Sequence, residues 1–262
     1  MKKRLGLLFL LLLPLGCSVN FKKPTTRLMS PEVIGQTLGG EVAVELAGTA
    51  NIKMIKEPLT ATPSTNPNID EAQDFGLKLH VGASSFLDIY NEATLEGPYV
   101  SGLKLQFFGD SLANSKQGSW SASVFGGLLW GTIKDEQKEN AGQSNEIVAN
   151  SKIKASGYEG GVIVGYRVFE EALIYLTGNH SVITANANLD QVNSGVATND
   201  LVDVDGEGVI QAAGVGFVLG KKLFLQGEGV YVIGKWKRTT TPEVEAEDLK
   251  NFMFGTNMGL HW

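Results

Sequence analysis

The chain has little of several features that other protein classes require. It has one cysteine in 262 residues, so no disulfide can form within it. Only 19% of its residues are charged and 43% are hydrophobic, which makes it too apolar for a disordered chain. Beyond the N-terminus it has no apolar run of 18 residues, and this excludes transmembrane helices. It also has only 8 prolines.

The chain is rich in glycine, and its apolar and polar residues alternate with a period of two. Its 32 glycines are about 12% of the residues, against roughly 7% in average proteins. From about residue 41 onward, apolar and polar residues alternate, and helical spacing is not sustained anywhere. Strict alternation is typical of strands with one apolar face. The sequence therefore predicts an all-β protein.

The first residues have the layout of an export signal, with a basic start and an apolar core too short to span a membrane permanently. The stretch Leu13–Cys17 resembles a lipoprotein box, in which the cysteine thiol receives a diacylglycerol before cleavage. We expect residues 1–16 to be a signal peptide and Cys17 to be lipidated; an ordinary cleaved signal is the alternative. In Gram-negative lipoproteins of this type, a residue such as Ser18 after the cysteine usually permits transfer to the outer membrane.

Cleavage would make the chain more acidic. Residues 1–16 carry three positive charges and no negative ones, so their removal changes the net charge from −6 to −9. Such a chain is a poor partner for nucleic acid, whose phosphates demand cations. Residues 17–40 are polar and mixed, and they are expected to form a lipidated periplasmic linker. Residues 41–262 are expected to form the folded domain.

Aromatic residues mark both ends of several predicted strands. The face that begins at Trp120 and ends at Trp130 is apolar throughout, and ten residues of a tilted strand cover roughly 25 Å. That length matches the apolar band between the two aromatic girdles of a membrane barrel. Two further faces have the same design. They run from Tyr158 to Tyr166 and from Tyr99 to Phe107.

The C-terminal segment alternates in the same way and ends in an aromatic residue. Its apolar face includes Phe254, Met258, Leu260 and Trp262. This segment resembles the last strand of Gram-negative outer-membrane β-barrels, which the barrel assembly machinery reads. The resemblance to small outer-membrane barrels covers about residues 40–262. It implies an antiparallel transmembrane β-barrel in contact with outer-membrane lipids. The sequence has no dinucleotide-binding unit, no Walker loop and no zinc-ligand spacing, so no cofactor and no metal are expected.

Ten strands satisfy the alternation of long outer loops and short periplasmic turns in such barrels. Both termini would then be periplasmic. If residues 75–93 form one strand, the count becomes nine, whereas bacterial single-chain barrels have an even number of strands. An eight-stranded barrel that leaves residues 41–54 outside is the alternative. The ten predicted strands are 41–54, 75–82, 86–93, 99–109, 118–134, 151–168, 172–186, 207–219, 222–237 and 251–262.

Charged residues fall on the faces that would point inward. The candidates for the barrel lumen include Glu45, Lys78, His80, Lys104, Glu159 and Arg167. Both signs are present, so we expect a salt-bridged and mostly filled interior. Inward glycines leave space, however, so a narrow channel for ions or small solutes is an alternative.

The predicted function is a structural or surface-interaction role without a catalytic site. The four predicted long loops, 55–74, 135–150, 187–206 and 238–250, each have a net negative charge, which would attract an extracellular cationic partner. A lipid-anchored soluble barrel that binds a small apolar ligand is a further alternative. The stretch around Ser111 resembles the first block of GDSL-type hydrolases, but the later blocks are missing and a turn is the better interpretation.

Overall fold

The computed structural model describes residues 18–60, 63–139, 147–193 and 196–262, and of residues 193 and 196–201 it describes the backbone only. Cys17 lies outside these ranges. The described residues form strands, turns and irregular segments, without an α-helix. Among them there is accordingly no helix that could cross a membrane.

The described residues form twelve strands. They are β1 (Ser18–Pro24), β2 (Gly40–Lys56), β3 (Asn68–Gly82), β4 (Leu87–Thr94), β5 (Tyr99–Phe108), β6 (Trp120–Glu139), β7 (Ile147–Phe169), β8 (Ala172–Asn193), β9 (Val196–Leu219), β10 (Leu223–Arg238), β11 (Val244–Glu245) and β12 (Leu249–His261).

Ten of these strands close into a barrel. Strands β2 to β10 pair in sequence order, and β12 pairs with both β10 and β2. Every pairing is antiparallel, and the ring seam joins Leu46–Glu41 of β2 to Thr256–His261 of β12. The predicted all-β antiparallel barrel of ten strands is confirmed. The alternative of eight strands is excluded, because β2 belongs to the ring and β3 and β4 are separate strands.

The two ends of the barrel differ in the connections that they carry. We call the end with Gly40 and Trp262 the lower end and the other the upper end. The lower end also carries the connections β3–β4, β5–β6, β7–β8 and β9–β10. The upper end carries the connections β2–β3, β4–β5, β6–β7, β8–β9 and β10–β12. Two predicted long loops, 135–150 and 187–206, are largely strand, because β6 to β9 run far beyond their neighbours. The excess length at the upper end is thus extended sheet more than loop.

The lower half of the barrel is apolar outside, and its interior combines buried charged side chains with a buried apolar cluster. Trp120 and Trp130 bound an outward face on β6, and neighbouring strands continue it around the ring. We call this surface the apolar belt; besides the two tryptophans, it includes Val44, Leu77, Leu103, Leu128, Val162, Leu176, Val215 and Phe254, all exposed. A soluble protein rarely leaves a surface of this size unpartnered.

The upper half reverses this pattern. Its outward residues include Lys134, Lys152 and Asp203, whereas Ile153 and Trp236 point inward and are buried. We call this half the outer tier. A continuous buried apolar cluster fills it, drawn from β1 to β3, β7 to β10 and β12. The outer tier therefore has the inside–outside pattern of a barrel in water, stacked on one patterned for lipid.

Residues 18–39 lie inside the barrel, where a periplasmic linker was expected. Strand β1 pairs with the upper half of β2, from Ser18 opposite Lys56 to Pro24 opposite Thr49. The chain then runs down the lumen and leaves at the lower end, where the Leu38 N–H donates to the Gly82 carbonyl at 2.9 Å. We call residues 18–39 the plug. Its polar composition suits a segment inside a charged lumen as well as a linker in solvent, so composition alone does not distinguish these two locations.

The expectation that both termini lie on the periplasmic side is wrong for the residues described. Trp262 is held at the lower end, where its N–H donates to the Gly40 carbonyl at 3.0 Å. Ser18 is held at the upper end by its pairing with Lys56. The barrel therefore separates the first described residue from the last by its full height.

Candidate functional site: the plug and its lumen

The centre of the lumen is built around a buried arginine of the plug. The Arg27 guanidinium lies 2.8 Å from a Glu92 oxygen and 2.7 Å from a Glu159 oxygen. All three side chains are about 1% exposed. Lys23 adds a second cation 2.9 Å from Glu159, and the Tyr90 hydroxyl donates to the same carboxylate at 3.2 Å. Two plug cations thus neutralise two carboxylates of the barrel wall.

Just below, the wall grips the plug backbone at a bend. Leu28 has a φ of 45°, which is costly for a residue with a Cβ. Glu228 stabilises this bend by accepting hydrogen bonds from the N–H groups of Arg27 at 2.7 Å and Leu28 at 3.1 Å. Lys78 donates to the carbonyls of the same two residues and lies 3.2 Å from Glu45. Wall charges therefore fix both the donors and the acceptors of the bend.

The lower part of the plug is held by a second set of ions. Arg167 of β7 forms a two-pronged ion pair with Glu32 of the plug, with Nε at 3.0 Å. Lys104 lies 3.1 Å from Asp88 and donates to the Glu32 carbonyl at 2.9 Å. Asp88 also accepts from the Ile34 N–H at 3.2 Å. A buried charge is tolerated only when it is paired, and here both wall and plug supply the partners.

The space beside the inward glycines is occupied. A Cβ on Gly102 or Gly127 would collide with the Tyr90 ring or hydroxyl, and one on Gly161 would collide with Phe125. A Cβ on Gly165 would meet Pro31 of the plug at 2.7 Å. These glycines make room for large side chains and for the plug. The observation that suggested a narrow channel thus has another explanation.

All six residues assigned to the lumen from the sequence lie inside and are buried. Glu45, Lys78, Lys104, Glu159 and Arg167 take part in the ion pairs of the lumen. His80 does not: its ring lies 5.9 Å from that of Tyr90, and neither nitrogen has a hydrogen-bond partner. The residues that sequence reasoning missed are the plug's own Lys23, Arg27 and Glu32, together with the Glu228 clamp. Around the plug, buried carboxylates of the wall outnumber its buried Lys and Arg side chains; the carboxylates are Glu41, Glu45, Asp88, Glu92, Glu159 and Glu228, and the cations are Lys78, Lys104 and Arg167. A complete list of inward charges is therefore the signal that could have pointed to cations from another segment.

The aromatic residues assigned to the girdles lie on the outer surface. Trp120, Trp130, Tyr158, Tyr99 and Phe107 are exposed. Tyr166 is half-buried, with its ring 5.0 Å from that of Trp120. The residues assigned to the C-terminal assembly signal, Phe254, Met258, Leu260 and Trp262, also point outward and are exposed.

Acidic residues are concentrated on one side of the outer tier. Asp203, Asp205 and Glu207 alternate along the outward face of β9, and all three are exposed. The Asn186 amide donates to the first two, at 2.7 and 3.0 Å, and Lys237 lies 2.9 Å from Glu207. The adjoining β10–β12 connection carries further acids. We call the surface of Asp203, Asp205 and Glu207 the acidic face.

Outward lysines lie close to the acidic face, on β6 and β7. Lys134 and Lys152 are paired residues on these two strands, and Lys154 follows on the same face of β7. Only β8 separates β7 from β9, so these lysines border the acidic face on one side.

Ser111, the residue of the hydrolase-like stretch, lies in a turn. Its carbonyl accepts from the N–H groups of Asn114 at 2.9 Å and Ser115 at 2.8 Å, and its side chain packs on Gly35. The described residues also contain no group of three or more His, Cys, Asp or Glu side chains that could hold a metal ion.

No protein-family model and no curated protein matches the chain. Its structural neighbours include Ail, the attachment invasion locus protein of Yersinia pestis, at 11% identity over 87% of this chain and 100% of that one, with a TM-score of 0.30. The outer membrane channel DcaP of Acinetobacter baumannii matches at 11% identity over 86% of this chain and 96% of that one, with a TM-score of 0.19. Because both scores lie below 0.5, these likenesses assign no function to this chain.

Proposed function

We propose that the protein is an outer-membrane β-barrel that is closed by its own N-terminal segment and acts through its outer tier. The apolar belt supports membrane insertion, because its aromatic-bounded height matches a hydrocarbon layer. The lower end, with its short β7–β8 and β9–β10 turns, faces the periplasm, and the outer tier projects outside the cell. The observation that carries the proposal is the plug, whose ion pairs are fully buried in the lumen.

A lumen closed by the plug argues against transport through the barrel. Reconstituted in planar bilayers, the protein is expected to give no stable conductance steps, because the plug fills the lumen with paired charge. Migration in SDS with and without boiling provides the control for folding, since a closed barrel shifts its mobility on heating. Regular conductance steps from protein that shows this shift would contradict the proposal and favour a channel.

The surface role is best supported at the acidic face. A projecting acidic patch attracts cations, and the partner we propose is an extracellular polymer or protein with a basic surface. This role requires no chemistry, so we propose a non-catalytic protein that contacts outer-membrane lipids through its belt.

Binding of a lysine decapeptide to the vesicle-reconstituted barrel tests this surface role. Replacement of the acidic face by Asp203→Asn, Asp205→Asn and Glu207→Gln is expected to weaken binding roughly threefold or more at low salt. The matched control replaces Lys134, Lys152 and Lys154 by Gln, and it should leave binding unchanged or strengthen it. Equal binding by the acidic-face variant and the native protein would rule out this face.

A further inference from the structure

The direction of β1 determines where the mature chain begins. In an antiparallel pair, the start of one strand lies beside the end of the other. Ser18 is therefore beside Lys56, at the upper end of β2, and Pro24 is beside Thr49, closer to the belt. The chain therefore enters the barrel at the upper end and runs down to the lower end, where it continues into β2.

Contacts outside the β1–β2 ladder hold the segment in this direction. Near the start of β1, the Gln137 side chain of β6 donates to the Ser18 carbonyl at 3.2 Å. In the middle of β1, the Lys22 N–H donates to the Glu96 carbonyl of the β4–β5 connection at 2.8 Å. Lys22 Nζ also lies 3.0 Å from the Glu96 carboxylate. Two separate parts of the wall thus place the beginning of β1 at the upper end.

The apolar cluster of the outer tier gives a third restraint. Phe21 is fully buried, and its ring lies 5.7 Å from that of Trp236 in an edge-on contact. Val19 belongs to the same cluster. Withdrawing β1 would therefore expose apolar side chains and leave the strand edge of β2 unpaired.

The height of Ser18 can be estimated along β6. Gln137 is seven residues beyond Trp130, which corresponds to roughly 18 Å above the upper edge of the belt for a tilted strand. From Trp120 at the lower edge, the corresponding distance is roughly 43 Å. The residue before Ser18 is one Cα–Cα step of about 3.8 Å away.

We infer that the N-terminal end of the mature chain is exposed at the cell surface, after passing through the barrel's own lumen. This inference rests on the proposed outer-membrane placement, with the outer tier outside the cell. It also relocates the expected modification. A lipid on Cys17 would lie on the extracellular side, because the inner leaflet of the outer membrane is tens of ångströms beyond its reach.

The fold offers a route to this arrangement that does not require threading a finished barrel. The ring seam between β2 and β12 joins the N-terminal and C-terminal ends of the barrel domain. Until β12 pairs with β2, the sheet is open along its full length. The plug and any group attached before Ser18 can enter through this gap, and seam closure then encloses residues 18–39.

Epitope accessibility in intact cells tests the inference. One variant carries a short epitope between Cys17 and Ser18. A second carries it after Glu247, in the exposed upper connection before β12, and a third after Ala113, in the exposed lower connection between β5 and β6. We expect antibody to stain intact cells for the first and second variants. The third should stain only after the outer membrane is permeabilised.

Controls separate failure of the inference from failure of the proposed function. Each variant must show the heat-dependent mobility shift of a closed barrel; if the first does not, a Gly-Ser spacer before Ser18 moves the epitope clear of the rim. Staining of the N-terminal epitope only after permeabilisation, with the other two as expected, would overturn the inference alone. Staining of the Ala113 variant but not the Glu247 variant on intact cells, or recovery of the protein as a soluble periplasmic species, would overturn the outer-membrane placement as well.

Discussion

Replacing Arg27 by Met is expected to destabilise the barrel by about 3–5 kcal/mol, the range for removing one partner of a buried ion pair. Arg27 lies within 3 Å of both Glu92 and Glu159 at the centre of the lumen. Without the guanidinium, Glu92 loses its ion-pair partner in a region closed to solvent. The free energy of unfolding in urea, measured on barrel refolded into lipid vesicles, gives the loss directly.

Two further variants make this expectation specific. Lys22→Met removes another plug cation, but the Lys22–Glu96 pair is partly exposed, so its loss should cost only about 0–1 kcal/mol. Adding Glu92→Gln to Arg27→Met removes the orphaned charge while the Lys23–Glu159 pair remains, and it should restore most of the lost stability. Similar losses for Arg27→Met and Lys22→Met, or no rescue by the double variant, would show that the plug is not held by buried charge.

Introducing an arginine at Leu128 is expected to destabilise the membrane-inserted barrel by about 1–3 kcal/mol, between the cost of that residue at the bilayer midplane and its cost near the interface. Leu128 lies between Trp120 and Trp130 on the apolar belt and is 63% exposed. If the belt contacts lipid, the guanidinium must be buried in hydrocarbon or must distort the bilayer. The same urea titration in vesicles measures the effect.

Thr132 provides the matched control on the same strand. It points outward four residues further along β6, above Trp130, and it is exposed. Thr132→Arg should therefore change the free energy of unfolding by about 0–1 kcal/mol, as near the membrane interface. If Leu128→Arg costs no more than Thr132→Arg, the belt does not contact lipid. The soluble, lipid-anchored barrel would then be the better account.

The barrel and its belt could be predicted from the sequence because their pattern is local. A tilted strand that crosses a membrane must alternate within ten residues, and Trp120 to Trp130 do so between two aromatic ends. The burial of Lys78, Lys104 and Arg167 follows from the same alternation, since the side chain opposite a lipid-facing one points inward. Strand number and lumen side chains therefore follow from the periodicity of single segments.

The outer tier was harder to predict because its alternation is weak. Small inward residues such as Ala155, Ala185 and Ala187 give little apolar contrast, and outward lysines and asparagines resemble loop residues. The long strands β7 and β8 therefore resembled shorter strands joined by polar loops. Only their partners across the lumen, including Trp236, provide the apolar contacts that make them a core.

The plug could not be predicted from local pattern, since nothing within residues 18–39 distinguishes a solvated linker from a lumen segment. Its ion pairs join residues that are distant in sequence: Arg27 meets Glu159, and Glu32 meets Arg167. The signal was a balance of charge across the whole chain. In the structure, the wall around the plug buries more carboxylates than cations, while residues 18–39 carry a net positive charge.

A disulfide across the plug and the wall tests the central claim most directly. Lys22 of β1 stands opposite Asn51 of β2, at a spacing that suits a disulfide. In a mature chain with Cys17→Ser, the variant Lys22→Cys with Asn51→Cys has no other thiols. The control pairs Lys22→Cys with Lys154→Cys, whose side chain lies on the outside of the barrel.

After refolding into lipid vesicles and mild oxidation, the 22–51 pair is expected to form a disulfide, identified by mass spectrometry of the linked peptides. The 22–154 pair should remain as two free thiols. Both variants must first show the heat-dependent mobility shift of a closed barrel. Free thiols at 22 and 51 in a barrel that passes this control would contradict the plug.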